Sequence, residues 1–202
     1  SSLIAQAGYG VSHALGVGGR DLSDPVGGIS TLAALAMLEE DSATRHIVLI
    51  SKPPSQSVAK RVIDTLAHSE KPCTVCYLGA DAPSLPANVS FARTLKAAAE
   101  LATGRSSKNK RPEFKSIIPH VTTGRQRIHG LFCGGTLSSE AQVVFLDQGV
   151  SVASNAPIPG AEAVGSGTSH VLIDLGSDEY TRGRPHPMID PTVRDEELTK
   201  AL

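Results

Sequence analysis

The fold of this chain is decided by one stretch, Ile128-His129-Gly130-Leu131-Phe132-Cys133-Gly134-Gly135-Thr136-Leu137-Ser138-Ser139-Glu140-Ala141-Gln142. Its apolar start, Ile128 to Cys133, predicts a strand, and Thr136 to Gly149 predicts a helix that ends at a glycine. The glycine pair between them lets the backbone turn tightly, and the amides of Gly135 to Ser139 lie at the positive end of the helix dipole. We therefore expect an anion there. An ordinary strand-to-helix turn with Thr136 or Ser138 as N-cap is the alternative interpretation.

The composition is that of a globular chain without a strong charge. The chain has 202 residues, of which 40% are hydrophobic and 3% aromatic, and its formal net charge is −1. This charge creates no field that would attract nucleic acid or a membrane surface. No apolar run approaches the roughly 20 residues of a membrane span, and three cysteines are too few for a disulfide framework. We expect a cytoplasmic protein that binds neither nucleic acid nor membrane.

Apolar periodicity predicts alternating strands and helices before this stretch. The uninterrupted run His46 to Ser51 is typical of a strand buried on both faces of a parallel sheet. Ser55 to His68 has apolar residues at helical spacing, and Pro72 to Leu78 predicts the next strand. This order predicts an open α/β sheet, in which ligands bind beyond the carboxyl ends of the strands. We also predict a strand over Val11 to Val17 and a helix over Asn88 to Ala102.

Two Asp-Pro pairs indicate an internal duplication. Asp24-Pro25 predicts a helix that runs to Glu40 with Asp24 as its N-cap, and Asp190-Pro191 predicts one that runs to Leu202. Each pair follows a loop that contains glycine and arginine: Gly18-Gly19-Arg20-Asp21 in the first case and Arg182 to His186 in the second. We predict that these loops are equivalent and face one shared cleft.

A basic segment separates the two predicted domains. Between Arg105 and Arg127 the chain carries seven positive charges, which favour a solvated linker, although binding of ligand phosphates is an alternative. We predict a first domain over 1–104, a linker over 105–127 and a partial second copy over 128–202. The expected protein is longer at both ends than this sequence.

Several motifs together resemble the FdrA family. They are Gly16 to Thr31, His46 to Pro54, Gly134 to Gln142, Asp174 to Gly176 and Arg182 to Pro191. FdrA proteins look like a relative of the succinyl-CoA synthetase alpha subunit joined to a second ligase-type domain. The resemblance spans nearly the whole chain. It implies flavodoxin-like CoA-ligase domains, normally preceded by a CoA-binding Rossmann domain.

The resemblance also implies a phosphate cradle. In the synthetase alpha subunit, a Ser-Gly-Thr-Leu-Thr-Tyr-Glu loop starts a helix that holds the phosphate of a phosphohistidine. The residues that match this loop here are Gly134, Gly135, Thr136, Leu137 and Glu140. The phosphohistidine itself comes from a Gly-His-Ala-Gly loop, and the corresponding segment here, Gly79 to Asn88, contains no histidine.

The implied activity is that of an acyl-CoA synthetase subunit that handles a phosphorylated or CoA-activated small carboxylic acid without the phosphohistidine relay. Two alternatives stay open. One is a carbamoyltransferase subunit that acts on oxamate and carbamoyl phosphate in purine-catabolite degradation, and the other is a non-catalytic ligand-binding or assembly module. The expected ligands are CoA or an acyl or carbamoyl phosphate, and the expected partner is a second copy or a ligase subunit.

Two further groups of residues are candidates for chemistry. Arg182, Arg184 and His186 have the donors to clamp a carboxylate or phosphate, with His186 as a proton carrier, and a rigid surface turn is the alternative. We expect self-phosphorylation to fail, because the loop after the second strand has no histidine. His129 begins the strand whose far end carries the cradle, and the flanking prolines should hold His186 in a separate loop, so neither is expected to substitute. Cys73 and Cys76 should point to opposite faces of a strand and pack in the core, so no metal site is expected.

Overall fold

The computed structural model of this chain describes residues 1–106, 127–165, 167 and 170–201. The chain folds into two compact units, Ser1–Lys108 and Asn109–Leu202. Each unit contains a parallel sheet with helices packed against it, which confirms the predicted α/β class. The predicted linker lies outside the described residues except for Arg105, Ser106 and Arg127, and the predicted domain limits stay predictions.

The described part of the first unit contains four helices and three strands. They are α1 (Ser2–Gln6), α2 (Ile29–Glu40), β1 (Ile47–Ser51), α3 (Gln56–Ala67), β2 (Cys73–Tyr77), β3 (Val89–Phe91) and α4 (Leu95–Thr103). The strands pair in the order β1-β2-β3 and all pairs are parallel. The apolar run over β1 and the apolar stripe of α3 thus form the strand and the helix that their patterns predict.

The sheet of the first unit is covered on both faces. Leu35 of α2 and Val62 of α3 pack with Cys73 and Val75 of β2, whereas the cluster that contains Cys76 includes Ala98 of α4. Because successive side chains of a strand alternate between faces, this packing confirms that the two cysteines of β2 point to opposite sides. Both are buried and neither forms a disulfide bond, as predicted for core residues.

The start of α2 differs from the prediction. Gly27 and Gly28 have φ angles of 74° and 75°, which a right-handed helix cannot contain, so α2 begins at Ile29. Asp24 is therefore not the N-cap of α2. Its carboxylate accepts a hydrogen bond from the Ser57 hydroxyl in the first turn of α3, and this bond lowers the pKa of Asp24.

Two other elements of the first unit are corrected. Val11 to Val17 forms no strand: these residues join neither of the described sheets, and nearly all are exposed. The helix predicted from Asn88 begins only at Leu95, where the Thr94 hydroxyl accepts a hydrogen bond from the Ala97 amide. Val89 to Phe91 instead extends the sheet beside β2, because its apolar side chains fill the core there.

The Tyr77 hydroxyl has no hydrogen-bond partner among the described residues, although the side chain is only 2% exposed. Burial raises its pKa to about 12. We expect Tyr77→Phe to raise the free energy of unfolding by about 1 kcal/mol, since it removes a buried polar group that forms no bond. Urea denaturation of the two proteins measures this. A loss of stability would instead indicate a buried water bound to the hydroxyl.

The described part of the second unit contains four strands and three helices. They are β4 (His129–Phe132), α5 (Gly135–Asp147), β5 (Val152–Ser154), β6 (Glu162–Ala163), β7 (His170–Asp174), α6 (Asp178–Thr181) and α7 (Thr192–Ala201). The strands pair in the order β4-β7-β5-β6, again all parallel. The last strand in sequence therefore lies between β4 and β5.

This strand order brings two turns together. Val193 of α7 packs with Ile173 and Leu175 on one face, so Leu172 and Asp174 of β7 point to the other face. The chain leaves β4 through α5 toward β5, whereas α7 packs against β4. Connections that diverge from adjacent parallel strands leave a crevice at their carboxyl ends, which is where open α/β sheets bind ligands.

The two Asp-Pro pairs are not equivalent. Asp190 Oδ1 accepts a hydrogen bond of 2.9 Å from the Thr192 amide, so this carboxylate caps α7 as predicted. Hydrogen bonds from Thr192 lower its pKa. Asp24 caps nothing in α2, and the sheet orders of the two units differ. The predicted repetition of the Asp-Pro helix start is therefore wrong.

Candidate functional site

The turn after β4 leaves the first amides of α5 open. Gly134 is the N-cap residue in an extended conformation (φ −176°, ψ 141°), and no side chain caps the helix. Within the described residues, the amides of Gly135, Thr136 and Leu137 donate to no acceptor, and the Ser138 amide makes a long bond of 3.4 Å to the Gly134 carbonyl oxygen. The Thr136 and Leu137 side chains are exposed. Three amides without an acceptor among the described residues thus lie at the carboxyl end of the sheet.

The side chains of the predicted cradle divide into two groups. Ser138 and Ser139 are buried, and Gln142 Nε2 lies 3.5 Å from the Ser138 hydroxyl while Gln142 Oε1 accepts from the Ile158 amide. The Gln142 side chain therefore attaches α5 to the loop after β5. Glu140 is half-buried. Gly134, Gly135, Thr136 and Leu137 form the open turn, and the anion-binding role of the cradle residues stays a prediction. The N-cap alternative with Thr136 or Ser138 is wrong because Gly134 holds that position.

The turn after β7 touches the turn after β4 at Gly176. A methyl group added at Gly176 would lie 3.1 Å from Asp174 Oδ1, 3.1 Å from His186 Nε2 and 3.2 Å from Gly134 Cα. A side chain at this position would require these atoms to move by a few tenths of an ångström. By contrast, a methyl group at Gly134 would meet nothing within 4 Å.

Asp174 is a buried carboxylate at this edge, with 2% of the residue exposed. Its Oδ1 accepts a hydrogen bond of 2.9 Å from the Gly176 amide. The Asn155 side chain pairs with the Asp174 backbone in both directions, accepting from its amide at 2.8 Å and donating to its carbonyl at 3.0 Å. Asn155 also donates to the Ser177 hydroxyl. The Asn155 side chain thus fixes the backbone of Asp174 and with it the position of the carboxylate.

The structure places His186 beside the cradle, which corrects the expectation that its prolines hold it apart. His186 Nε2 and Gly134 Cα both lie within 3.2 Å of the same point above Gly176. The other ring nitrogen, Nδ1, accepts a hydrogen bond of 3.2 Å from the Met188 amide. The prolines on either side of His186 therefore stiffen a loop that returns to the sheet edge.

In the second predicted site, the loop Gly18 to Asp21, the last residue has a structural role. Asp21 is buried, and its carboxylate accepts from the Ser30 and Thr31 amides at 2.9 Å each and from the Thr31 hydroxyl at 2.7 Å. Burial alone would raise the pKa of Asp21, but these hydrogen bonds outweigh it and lower the pKa to about 2. The N-terminus of α2 is thus filled by a carboxylate of the chain itself.

The other members of the predicted sites are exposed. Gly18, Gly19 and Arg20 lie on the surface of the first unit, whereas Arg182 and Arg184 lie on that of the second. Arg184 forms an ion pair of 3.2 Å with Glu196, for which a ligand would have to compete. A shared cleft and an arginine clamp stay predictions.

Three residues of this edge were not singled out by the sequence as site residues. Asp174 had a detectable signal, because a carboxylate inside the apolar run His170 to Leu175 is unusual for a buried strand. Gly176 and Asn155 had none, since their roles depend on which strands become neighbours. The described residues contain no group of three or more histidine, cysteine or acidic side chains that could hold a metal ion. No helix in the same part of the chain is long and apolar enough to cross a membrane.

Comparison with known proteins shows a similarity to an Escherichia coli protein. The chain is 38% identical over 204 residues to the uncharacterized protein YahF of Escherichia coli strain K12. The match covers 95% of this chain and 40% of YahF, so the chain spans less than half the length of that relative. No family model matches the chain.

Proposed function

We propose that the second unit binds the phosphate or carboxylate of a phosphorylated or CoA-activated small acid, as part of a cytoplasmic acyl-CoA synthetase-like subunit. The observation that supports this proposal is the open N-terminus of α5 at the carboxyl edge of β4 and β7. Amides without acceptors at a helix N-terminus attract an anion through their donors and through the helix dipole.

The contrast with the first unit strengthens the proposal. The N-terminus of α2 is filled by the Asp21 carboxylate, whereas α5 has no side chain in the equivalent place. A helix that carries its own carboxylate needs no external anion. The glycines at 134 and 176 keep the approach to α5 free of side chains, and Asp174 and His186 stand at its border.

A thermal-shift series tests the proposal. Sulfate, inorganic phosphate, acetyl phosphate, carbamoyl phosphate, CoA and ATP are added separately, and a ligand at 100 times its dissociation constant should stabilise the protein by about 2.7 kcal/mol. Stabilisation by acetyl phosphate or CoA supports the synthetase-like function. A response restricted to carbamoyl phosphate supports the carbamoyltransferase alternative. No response to any of the six compounds would contradict an anion site.

Cys133 reports on the same site, because it precedes Gly134 and is half-buried, whereas Cys73 and Cys76 are buried. We expect a thiol reagent to modify one cysteine of the native protein quickly, and a saturating phosphorylated ligand to slow this reaction several-fold by covering the turn. The rate is followed by absorbance. Cys133→Ser is the control and should lose the fast phase. An unchanged rate at saturating ligand would place the ligand elsewhere.

A further inference from the structure

We propose that His186 acts at this site as a fixed hydrogen-bond donor through Nε2, which binds an oxygen of the ligand and cannot accept a phosphoryl group. The proposal rests on the proposed function, since it assigns a role to one residue of that anion site. It states that Nε2 of His186 donates a hydrogen bond to the ligand and does not accept one, and the contacts of the two ring nitrogens determine this direction.

The tautomer of His186 follows from its bond to the backbone. The Met188 amide donates to Nδ1 at 3.2 Å, and an amide has no lone pair to offer in return. Nδ1 must therefore hold its lone pair toward Met188, and a neutral ring carries its proton on Nε2. The bond closes a short turn in which the amides of Ile189 and Asp190 also donate to the His186 carbonyl oxygen. The turn thus fixes both the ring and its proton.

The surroundings of Nε2 leave this donor available. Nε2 lies 3.1 Å from the position of a side chain that Gly176 lacks, and no described residue accepts its proton. Asp174 Oδ1 lies 3.1 Å from the same position and accepts from the Gly176 amide, and no hydrogen bond joins it to Nε2. Nε2 is consequently a donor without an acceptor beside Gly134 and Gly176, where the ligand oxygen would lie.

The position of the proton on Nε2 decides whether His186 acts as a hydrogen-bond donor or as a nucleophile or base. A nucleophilic or basic histidine needs a lone pair that faces the ligand, whereas His186 presents a proton there and uses its lone pair on Met188. The ring can therefore stabilise negative charge on a ligand oxygen, as a hydrogen bond to a charged group does. It cannot take a phosphoryl group on Nε2 while this tautomer holds. Self-phosphorylation should fail at His186 for this reason and not because the residue is distant.

Long-range proton–nitrogen NMR of the 15N-labelled protein determines the tautomer directly. Spectra are recorded where the rings are neutral, and the signals of His186 are identified by their absence in His186→Gln. We expect a protonated Nε2 and an unprotonated Nδ1, and inorganic phosphate should shift Nε2 while Nδ1 stays nearly constant. A proton on Nδ1 would overturn the proposal.

Two substitutions test the donor by binding. The side-chain amide nitrogen of a glutamine at this position reaches the place of Nε2, whereas that of an asparagine reaches only the place of Nδ1. His186→Gln should therefore keep phosphate affinity within about threefold, and His186→Asn should lose about tenfold. His68→Gln, at the exposed end of α3, is the matched control and should bind like the parent. Equal affinity of the asparagine variant and the parent would overturn the role of His186. Absence of phosphate binding to the parent itself would instead contradict the proposed function.

Discussion

Gly134→Val should weaken phosphate binding at least tenfold and change the free energy of unfolding by no more than about 1 kcal/mol. The φ and ψ angles of Gly134 are those of an extended residue, which suits a β-branched side chain, and an added methyl group meets nothing within 4 Å. The new side chain therefore costs the fold only the preference for glycine over valine at an N-cap. It occupies space from which a ligand would reach the amides of α5.

The matched control is Gly19→Val in the first unit. Gly19 also has open space around its missing side chain and does not require a positive φ angle. Isothermal titration with phosphate measures both variants beside the parent, and urea denaturation measures their stability. Normal affinity is expected for the control. Loss of binding in Gly19→Val with normal binding in Gly134→Val would move the anion site to the first loop.

Asp21→Asn should lower the free energy of unfolding by about 2 kcal/mol at neutral pH. The substitution removes the charge that accepts three hydrogen bonds at the N-terminus of α2 and turns an amide group toward donors. Because the folded pKa of about 2 lies below the ordinary value of 3.8, the carboxylate stabilises the fold above pH 4. This contribution is lost as the pH falls from about 4 to about 2.

Urea denaturation of parent and variant at pH 7 and near pH 2.5 measures this dependence. The difference between the two proteins should be largest at pH 7 and should shrink at the acid end. Asp24→Asn is the matched control: its exposed carboxylate contacts Ser57, and the loss should be smaller. A difference that is constant with pH would show that the charge of Asp21 is not what stabilises α2.

The parts of the fold that the sequence predicted are those with strong local patterns. The β-branched run over β1 and the apolar stripe of α3 each extend over a whole element. The local sequence was therefore sufficient to predict this strand and this helix. The glycine pair at 134 and 135 marks the turn between β4 and α5 within one residue. For the same reason, the opposite directions of Cys73 and Cys76 followed from strand geometry alone.

The errors arose where two local signals conflicted or where partners were distant in sequence. Asp24-Pro25 is a strong helix start, but two left-handed glycines follow it, and the backbone of these glycines decides the outcome. His186 came near Gly134 because the strand order places β7 beside β4, which no periodicity in the sequence reveals. The prolines around His186 correctly predicted a stiff loop, but they could not show that this loop runs back toward Gly134.

The position of β7 between β4 and β5 has a consequence for how the second unit folds. Both neighbours of β7 precede it in the chain, and the contact between the Ile128 amide and the His170 ring closes 42 residues. Neither neighbour can complete its ladder before β7 inserts, so the pairing is non-local and slow relative to helix formation. During synthesis, the sheet of the first unit can assemble before β7 leaves the ribosome. The edge that holds Gly134 and Gly176 together therefore cannot form before β7 joins β4.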